Sequence, residues 1–317
     1  MRSAATATTA TTAATVVAFA CLVSARPVFA QTAQAAHDHD HQAVASQSQM
    51  PPQSQPPAQV AVPKDPALPA DEAGAKEVVE KTPRHAEYAS ITVEGRATPV
   101  KAFVVYPERK DKAPVIVVIH EIFGLSDWIK AVADQLAKEG FIAIAPDLLS
   151  GKGPNGGGTE SFAPDAVRAA VSGLTKAEVN AALDATRAYG IKLPAANGKS
   201  GSVGFCWGGG TSFAYAAAQP ALNAAVVYYG TSPAADALAT IKAPVLGLYG
   251  GNDARVDATI EPAVAEMKKL GKSYDPHVFD GAGHGFLRQQ GGQNGANLKA
   301  TQQAWPATVA FLKEHTK

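Results

Sequence analysis

The sequence predicts an α/β protein with a mostly parallel sheet and helices on both faces. Three observations carry the prediction. Short, wholly apolar runs recur along the chain, as expected of strands buried on both sides. Stretches with helical periodicity alternate with them. Glycine and proline punctuate the junctions.

The elements follow in order from residue 88. Residues 100–106 form an early strand, paired with 90–94. Residues 114–120 read Pro-Val-Ile-Val-Val-Ile-His, a continuous apolar run. A helix spans 127–139, with Trp128, Val132 and Leu136 on one stripe and Gly140 as its stop. A second buried strand covers 141–145 and ends at Pro146. Thr175-Lys176-Ala177-Glu178 has the form of a capping box and opens a helix to about residue 189. Further strands lie at 202–205, 224–229, 245–249 and 277–279, and helices at 209–218, 259–270 and 303–317. The glycine-rich stretch 150–159 is expected to be too flexible to pack, forming a loop at the mouth of a pocket or elsewhere on the surface. Strand–helix alternation of this kind gives a parallel sheet, and ligands then sit at the carboxyl ends of its strands.

The 317 residues divide into three parts. Residues 1–30 read as a secretory signal: a basic start at Arg2, an apolar run at 16–23 too short to span a bilayer, and small residues at Val28-Phe29-Ala30. The mature protein is therefore expected outside the cytoplasm, periplasmic or secreted, with no stable membrane insertion. Residues 31–85 are rich in Pro, Gln and Ala and are expected to be a disordered tether. The tract His37-Asp38-His39-Asp40-His41 lies in it, read as a solvated stretch, with loose divalent-metal binding as the alternative. Residues 86–317 form the folded domain, about 230 residues and large enough for one core. Of the two cysteines, Cys21 leaves with the signal, so Cys206 cannot form an internal disulfide. Formal net charge is +0 without basic clusters, which argues against nucleic acid. The expected partner is a small molecule, and the oligomeric state stays open.

Chemistry follows four of the strands. Gly204-Phe205-Cys206-Trp207-Gly208 has the Gly-x-nucleophile-x-Gly form of a sharp strand-to-helix turn. The positive end of the following helix is expected to favour the Cys206 thiolate. Asp253 follows the strand at 245–249, and His284 follows the strand at 277–279. Nucleophile, acid and histidine in that order form a triad in which Asp253 orients His284 and His284 exchanges protons. After the strand ending at Ile119 comes His120-Glu121-Ile122-Phe123-Gly124. Backbone N–H groups of Ile122 and Trp207 are expected to form the oxyanion hole, with Glu121 partly buried beside them. No metal or organic cofactor is required by these residues.

His-Glu-Ile-Phe-Gly, Gly-Phe-Cys-Trp-Gly-Gly and Gly-His-Gly-Phe-Leu-Arg together resemble the dienelactone hydrolase (carboxymethylenebutenolidase) family of the α/β-hydrolase superfamily. The resemblance runs from about residue 88 to the C-terminus. It implies the α/β-hydrolase fold and hydrolysis of an enol-lactone through a thioester on Cys206. It also implies that Glu121 holds the resting thiol and takes its proton when substrate binds. Two arginines grip the substrate carboxylate in that family. Arg288 matches one, and Arg168 is nearest to the other, although residues 151–158 shift the register and leave the carboxylate requirement open. Two alternatives stand beside this reading. One is a broader exported carboxylesterase. The other is a non-catalytic metal- or ligand-binding module.

Overall fold

A computed structural model of the chain describes residues 58–317. The expected signal segment 1–30 and the His37–His41 tract lie outside the described residues. The elements are α1 (Glu72–Lys81), β1 (Ala86–Ile91), β2 (Val100–Val105), β3 (Ala113–Ile119), α2 (Asp127–Lys138) and β4 (Ile142–Pro146). They continue with α3 (Val167–Ser172), α4 (Lys176–Ile191), β5 (Ala196–Phe205), α5 (Trp207–Ala218), β6 (Ala224–Tyr228) and α6 (Ala235–Leu238). The last are β7 (Val245–Gly250), α7 (Ala254–Asp257), α8 (Ile260–Lys269), β8 (Tyr274–Phe279) and α9 (Ala296–His315).

The strands form one eight-stranded sheet in the order β1-β2-β4-β3-β5-β6-β7-β8. β1–β2 and β2–β4 pair antiparallel, and all other neighbours pair parallel. Alternate side chains of β3 feed two separate cores. Ile116 and Val118 pack with α2 and α9 on one face. Val115, Val117 and Ile119 pack with α4, α5 and α8 on the other. Every residue of β3 from Val115 to Ile119 is fully buried, which is why its sequence shows no polar alternation. Gly190 lets α4 approach closely: a Cβ there would lie 2.6 Å from Val115 and 2.7 Å from Ile144.

Local signals read from sequence appear as hydrogen bonds. Ser126 caps α2, accepting from Ile129 N–H. Thr175 and Glu178 form the reciprocal capping box of α4. β5 begins six residues earlier than its apolar end suggested, at Ala196 rather than Ser202. Its first half is small and polar, yet Ser200 and Ser202 are buried and bonded, to Arg187 Nε at 2.7 Å and Ser212 Oγ at 2.8 Å. α9 likewise begins at Ala296, before the expected residue 303, because its first turns bury Asn297 and Thr301 instead of an apolar stripe.

Two expectations are corrected. Residues 58–85 do not behave as a tether: they run over the domain and carry α1. Their backbone is pinned by partners that no periodicity announces. Trp128 Nε1 donates to Ala70 O at 3.2 Å, Gln290 Nε2 to Pro69 O at 2.8 Å, Gln135 Nε2 to Pro66 O at 3.2 Å, and Val60 N to Gly291 O at 2.7 Å. A buried ion pair of Arg84 with Asp134 holds the far end. The glycine-rich loop is also packed. Thr159 donates to both oxygens of buried Asp147 at 2.7 Å and accepts from Leu125 N–H at 3.1 Å, which ties this loop to the segment after β3.

Candidate active site

β5 delivers Cys206 at its carboxyl end, and α5 starts one residue later. Cys206 has φ 56° and ψ −117°, a left-handed conformation that costs a non-glycine residue roughly 1–3 kcal/mol. The surroundings hold it there. Cys206 N–H donates to Tyr228 O at 3.1 Å on the neighbouring strand. A Cβ on Gly204 would lie 1.9 Å from Gly208 O, and one on Gly208 would lie 2.4 Å from the carbonyls of both Ile119 and His120. Only glycine permits this contact between the turn and the end of β3.

Asp253 follows β7, and His284 follows β8. His284 Nδ1 lies 2.5 Å from Asp253 Oδ2. An ionised carboxylate only accepts, so Nδ1 carries the proton and a neutral ring presents a lone pair at Nε2. Asp253 is buried, whereas the His284 side chain is about a third exposed. The ring rests edge-on against Tyr229, with centroids 5.2 Å apart. Among the described residues no hydrogen bond joins the Cys206 sulfur to His284. The groups that act electrostatically on the sulfur are Glu121, Arg255 and the backbone N–H groups of Trp207 and Ile122.

That environment runs against the thiolate-favouring pull expected of the helix end. Burial pushes the Cys206 thiol pKa up and the Glu121 carboxylate adds to the rise, against the opposing pull of the Trp207 N–H, the Arg255 guanidinium and the Ile122 N–H. Desolvation and a neighbouring carboxylate outweigh the helix end, so the resting group is a thiol. Glu121 is 2% exposed. Burial raises its pKa to about 7 against the opposing pull of Arg288, with Glu72 adding to the rise.

The two arginines meet at Phe123. Arg288 lies 4.9 Å and Arg168 5.3 Å from the centre of that ring. Arg288 Nε is 2.9 Å from Glu121 Oε2, although its N–H is not aimed well enough to form a hydrogen bond. Arg288 Nη1 donates to Glu72 Oε2 of α1. Arg168 is exposed on α3.

Sequence reasoning missed three residues around this site. His120 is fully buried, stacks on Trp207 at 5.7 Å and contacts Glu121 O. Its place directly before Glu121, after a buried strand, was the available signal. Tyr229 has φ 39° and a buried hydroxyl without a hydrogen-bond partner among the described residues. Its electrostatic neighbours are Glu121, Arg288 and Cys206. Nothing local distinguishes it from a core tyrosine at the end of β6. Glu72 is far away in sequence and could not be placed without the path of residues 58–81.

The sheet order, the crossovers and the strand-end cluster define an α/β-hydrolase-fold hydrolase. Residues 100–316 match the dienelactone hydrolase family, and the chain belongs to that family. A protein of Escherichia coli K12 with a provisional carboxymethylenebutenolidase name is 32% identical, over 75% of this chain and 91% of its own. A protein of Saccharolobus solfataricus under the same provisional name is 30% identical, over 69% of this chain and 95% of its own. The crystal structure of a provisionally named dienelactone hydrolase from Klebsiella pneumoniae superposes with TM-score 0.63 at 28% identity, covering 73% of this chain and 98% of that one. The protein is thus a hydrolase acting on small-molecule ester or lactone substrates. No helix of the described residues is long and apolar enough to cross a membrane.

Proposed function

We propose that this protein hydrolyses enol-lactones and activated esters through a thioester on Cys206. The observation that carries the reading is the strained strand-to-helix turn that presents Cys206, with the His284–Asp253 pair following β8 and β7 and Glu121 buried after β3. When substrate displaces the sulfur from its resting contacts, ionised Glu121 takes the thiol proton and the thiolate attacks the carbonyl carbon. The N–H groups of Ile122 and Trp207 then receive the oxyanion, where one such donor is typically worth ~10²–10³ in rate. The C–O bond breaks, the enolate or phenolate departs, and the thioester remains. His284, oriented by Asp253, draws a proton from water through Nε2 as that water attacks the thioester. Collapse of the second tetrahedral intermediate releases the acid, and the thiolate regains a proton.

Thiolate leaves as readily as it attacks, so the first intermediate reverts unless the departing oxygen is a stabilised anion. Enol-lactones and aryl esters meet that condition better than alkyl esters. Residues 1–30 support export of the mature enzyme. The broader carboxylesterase reading shares the machinery and differs only in the pocket.

The test is hydrolysis of 4-nitrophenyl acetate, a dienelactone and a simple alkyl ester, beside a Cys206→Ala variant. Preference for the dienelactone, lost in the variant, is the expected result. Equal rates on all three esters move the function to a general esterase, and equal activity of wild type and variant removes Cys206 from the mechanism. Export is tested by N-terminal sequencing of the protein from the extracytoplasmic fraction, expected to begin near residue 31.

A further inference from the structure

We propose that Tyr229, at the carboxyl end of β6, is a binding residue for substrates that carry a carboxylate: its hydroxyl and the Nε–H of Arg288 together receive that group. This deepens the ester-hydrolase reading above and rests on it.

Two buried donors at this site lack a hydrogen-bond partner among the described residues, the Tyr229 hydroxyl and Arg288 Nε. A buried tyrosine normally bonds through its hydroxyl, and leaving that group unbonded is costly. Tyr229 is fully buried and also holds φ 39°, a conformation that bulky residues avoid. Strain of this kind persists only where the surroundings impose it, and it gathers at functional sites. The surroundings here do impose it. Tyr229 N–H donates to Leu248 O of β7 at 2.9 Å, and a Cβ on the following Gly230 would lie 2.1 Å from Gly210 N of α5. The turn so fixed lays the Tyr229 ring edge-on against His284, with centroids 5.2 Å apart, and against Phe286 at 5.3 Å. The same short loop carries the guanidinium, since Arg288 N–H donates to Gly285 O at 3.0 Å.

Charge decides what the two donors receive. In the resting enzyme Glu121 Oε2 lies 2.9 Å from Arg288 Nε and balances its charge. Once Glu121 has taken the thiol proton it is a neutral acid, and the remaining carboxylate partner of Arg288 is Glu72, whose side chain is 61% exposed and screened by solvent. An anionic oxygen on the substrate restores the balance. Arg288 supplies the charge for it, and Tyr229 supplies a second, neutral donor that itself needs no counter-charge. Burial holds the Tyr229 pKa well above its usual value, so the hydroxyl stays protonated and able to donate. Glu121, Arg288 and Cys206 all act electrostatically on that hydroxyl, in keeping with a place beside the reacting groups.

The test compares opening of the dienelactone with opening of its methyl ester, in which the carboxylate charge is removed. Both kcat and KM are measured on the full-length protein, wild type and Tyr229→Phe. Phenylalanine keeps a ring against His284 and Phe286 and deletes only the hydroxyl. Wild type is expected to prefer the dienelactone. In the variant the dienelactone-to-methyl-ester ratio of kcat/KM should fall about tenfold, the scale of one hydrogen bond to a charged group, through a higher KM for the dienelactone. A hydroxyl with a merely structural role would depress both substrates together and leave the ratio in place. An unchanged ratio therefore overturns the proposal. So does a wild type that opens the methyl ester as well as the dienelactone, a result that leaves the ester-hydrolase reading standing. Failure of wild type to open either lactone sinks the catalytic reading instead. The binding claim is then decided by Kd values for the same pair, measured on Cys206→Ala with and without Tyr229→Phe. There too, about tenfold weaker binding of the dienelactone alone supports it and no change contradicts it.

Discussion

His120 Nδ1 lies 2.7 Å from the carbonyl oxygen of Glu121, while its Nε2 faces the N–H of Leu148 at 3.4 Å. An N–H at Leu148 requires a lone pair on Nε2, which puts the ring proton on Nδ1 and makes His120 the donor to Glu121 O. Burial lowers the His120 pKa, so the ring stays neutral. The peptide group it grips is planar and carries the Ile122 N–H on its opposite edge. His120 thereby orients an N–H that faces the Cys206 sulfur, and Trp207, source of the other, stacks on its ring.

Replacing His120 by alanine should therefore lower kcat by about 10²-fold, the scale of a lost oxyanion donor, with a smaller change in KM. Steady-state kinetics on an aryl ester check this. A loss confined to KM would assign His120 to substrate binding instead.

Glu121 makes stability depend on pH. Its pKa is raised from 4.5 to about 7 by burial. Between those values the folded state holds a proton that the unfolded chain has released, so this contribution to stability is complete below about pH 4.5 and lost as pH rises through 7. The Glu121→Gln variant lacks that slope. Its melting temperature relative to wild type should thus be higher at pH 8 than at pH 5, and equal differences at both values would contradict the buried carboxyl.

The ion pair that holds the far end of residues 58–85 is also testable. Asp134 and Arg84 have side chains 3% and 12% exposed, and Thr82 Oγ1 donates to the same carboxylate. Replacing Asp134 by alanine strands a mostly buried guanidinium and should cost about 3 kcal/mol. Urea denaturation gives the number. A change under about 0.5 kcal/mol, ordinary for a surface site, would mean the pair is effectively solvated.

These expectations divide along what the chain makes legible. The parallel sheet could be read because β3, β4, β6 and β7 are buried on both faces and must be apolar throughout. The positions of Cys206, Asp253, His284 and Glu121 could be read because turns at strand ends need particular residues, glycine above all. Arg288 could be placed near the site but not paired, since Glu72 lies 216 positions away in sequence. The course of residues 58–71 was illegible for a related reason. Its prolines bar regular structure, and what holds it is a set of carbonyls bonded to Trp128, Gln135 and Gln290, contacts that leave no pattern in the segment itself.

The central claim is the covalent one, and acid-quenched mass spectrometry tests it most directly. Wild type and a His284→Ala variant are mixed with 4-nitrophenyl acetate, quenched and digested. The account predicts an acetyl group on the peptide carrying Cys206, accumulating in the variant because water is no longer activated against the thioester. An unmodified Cys206 during active turnover, or an acyl group on another residue instead, would contradict it.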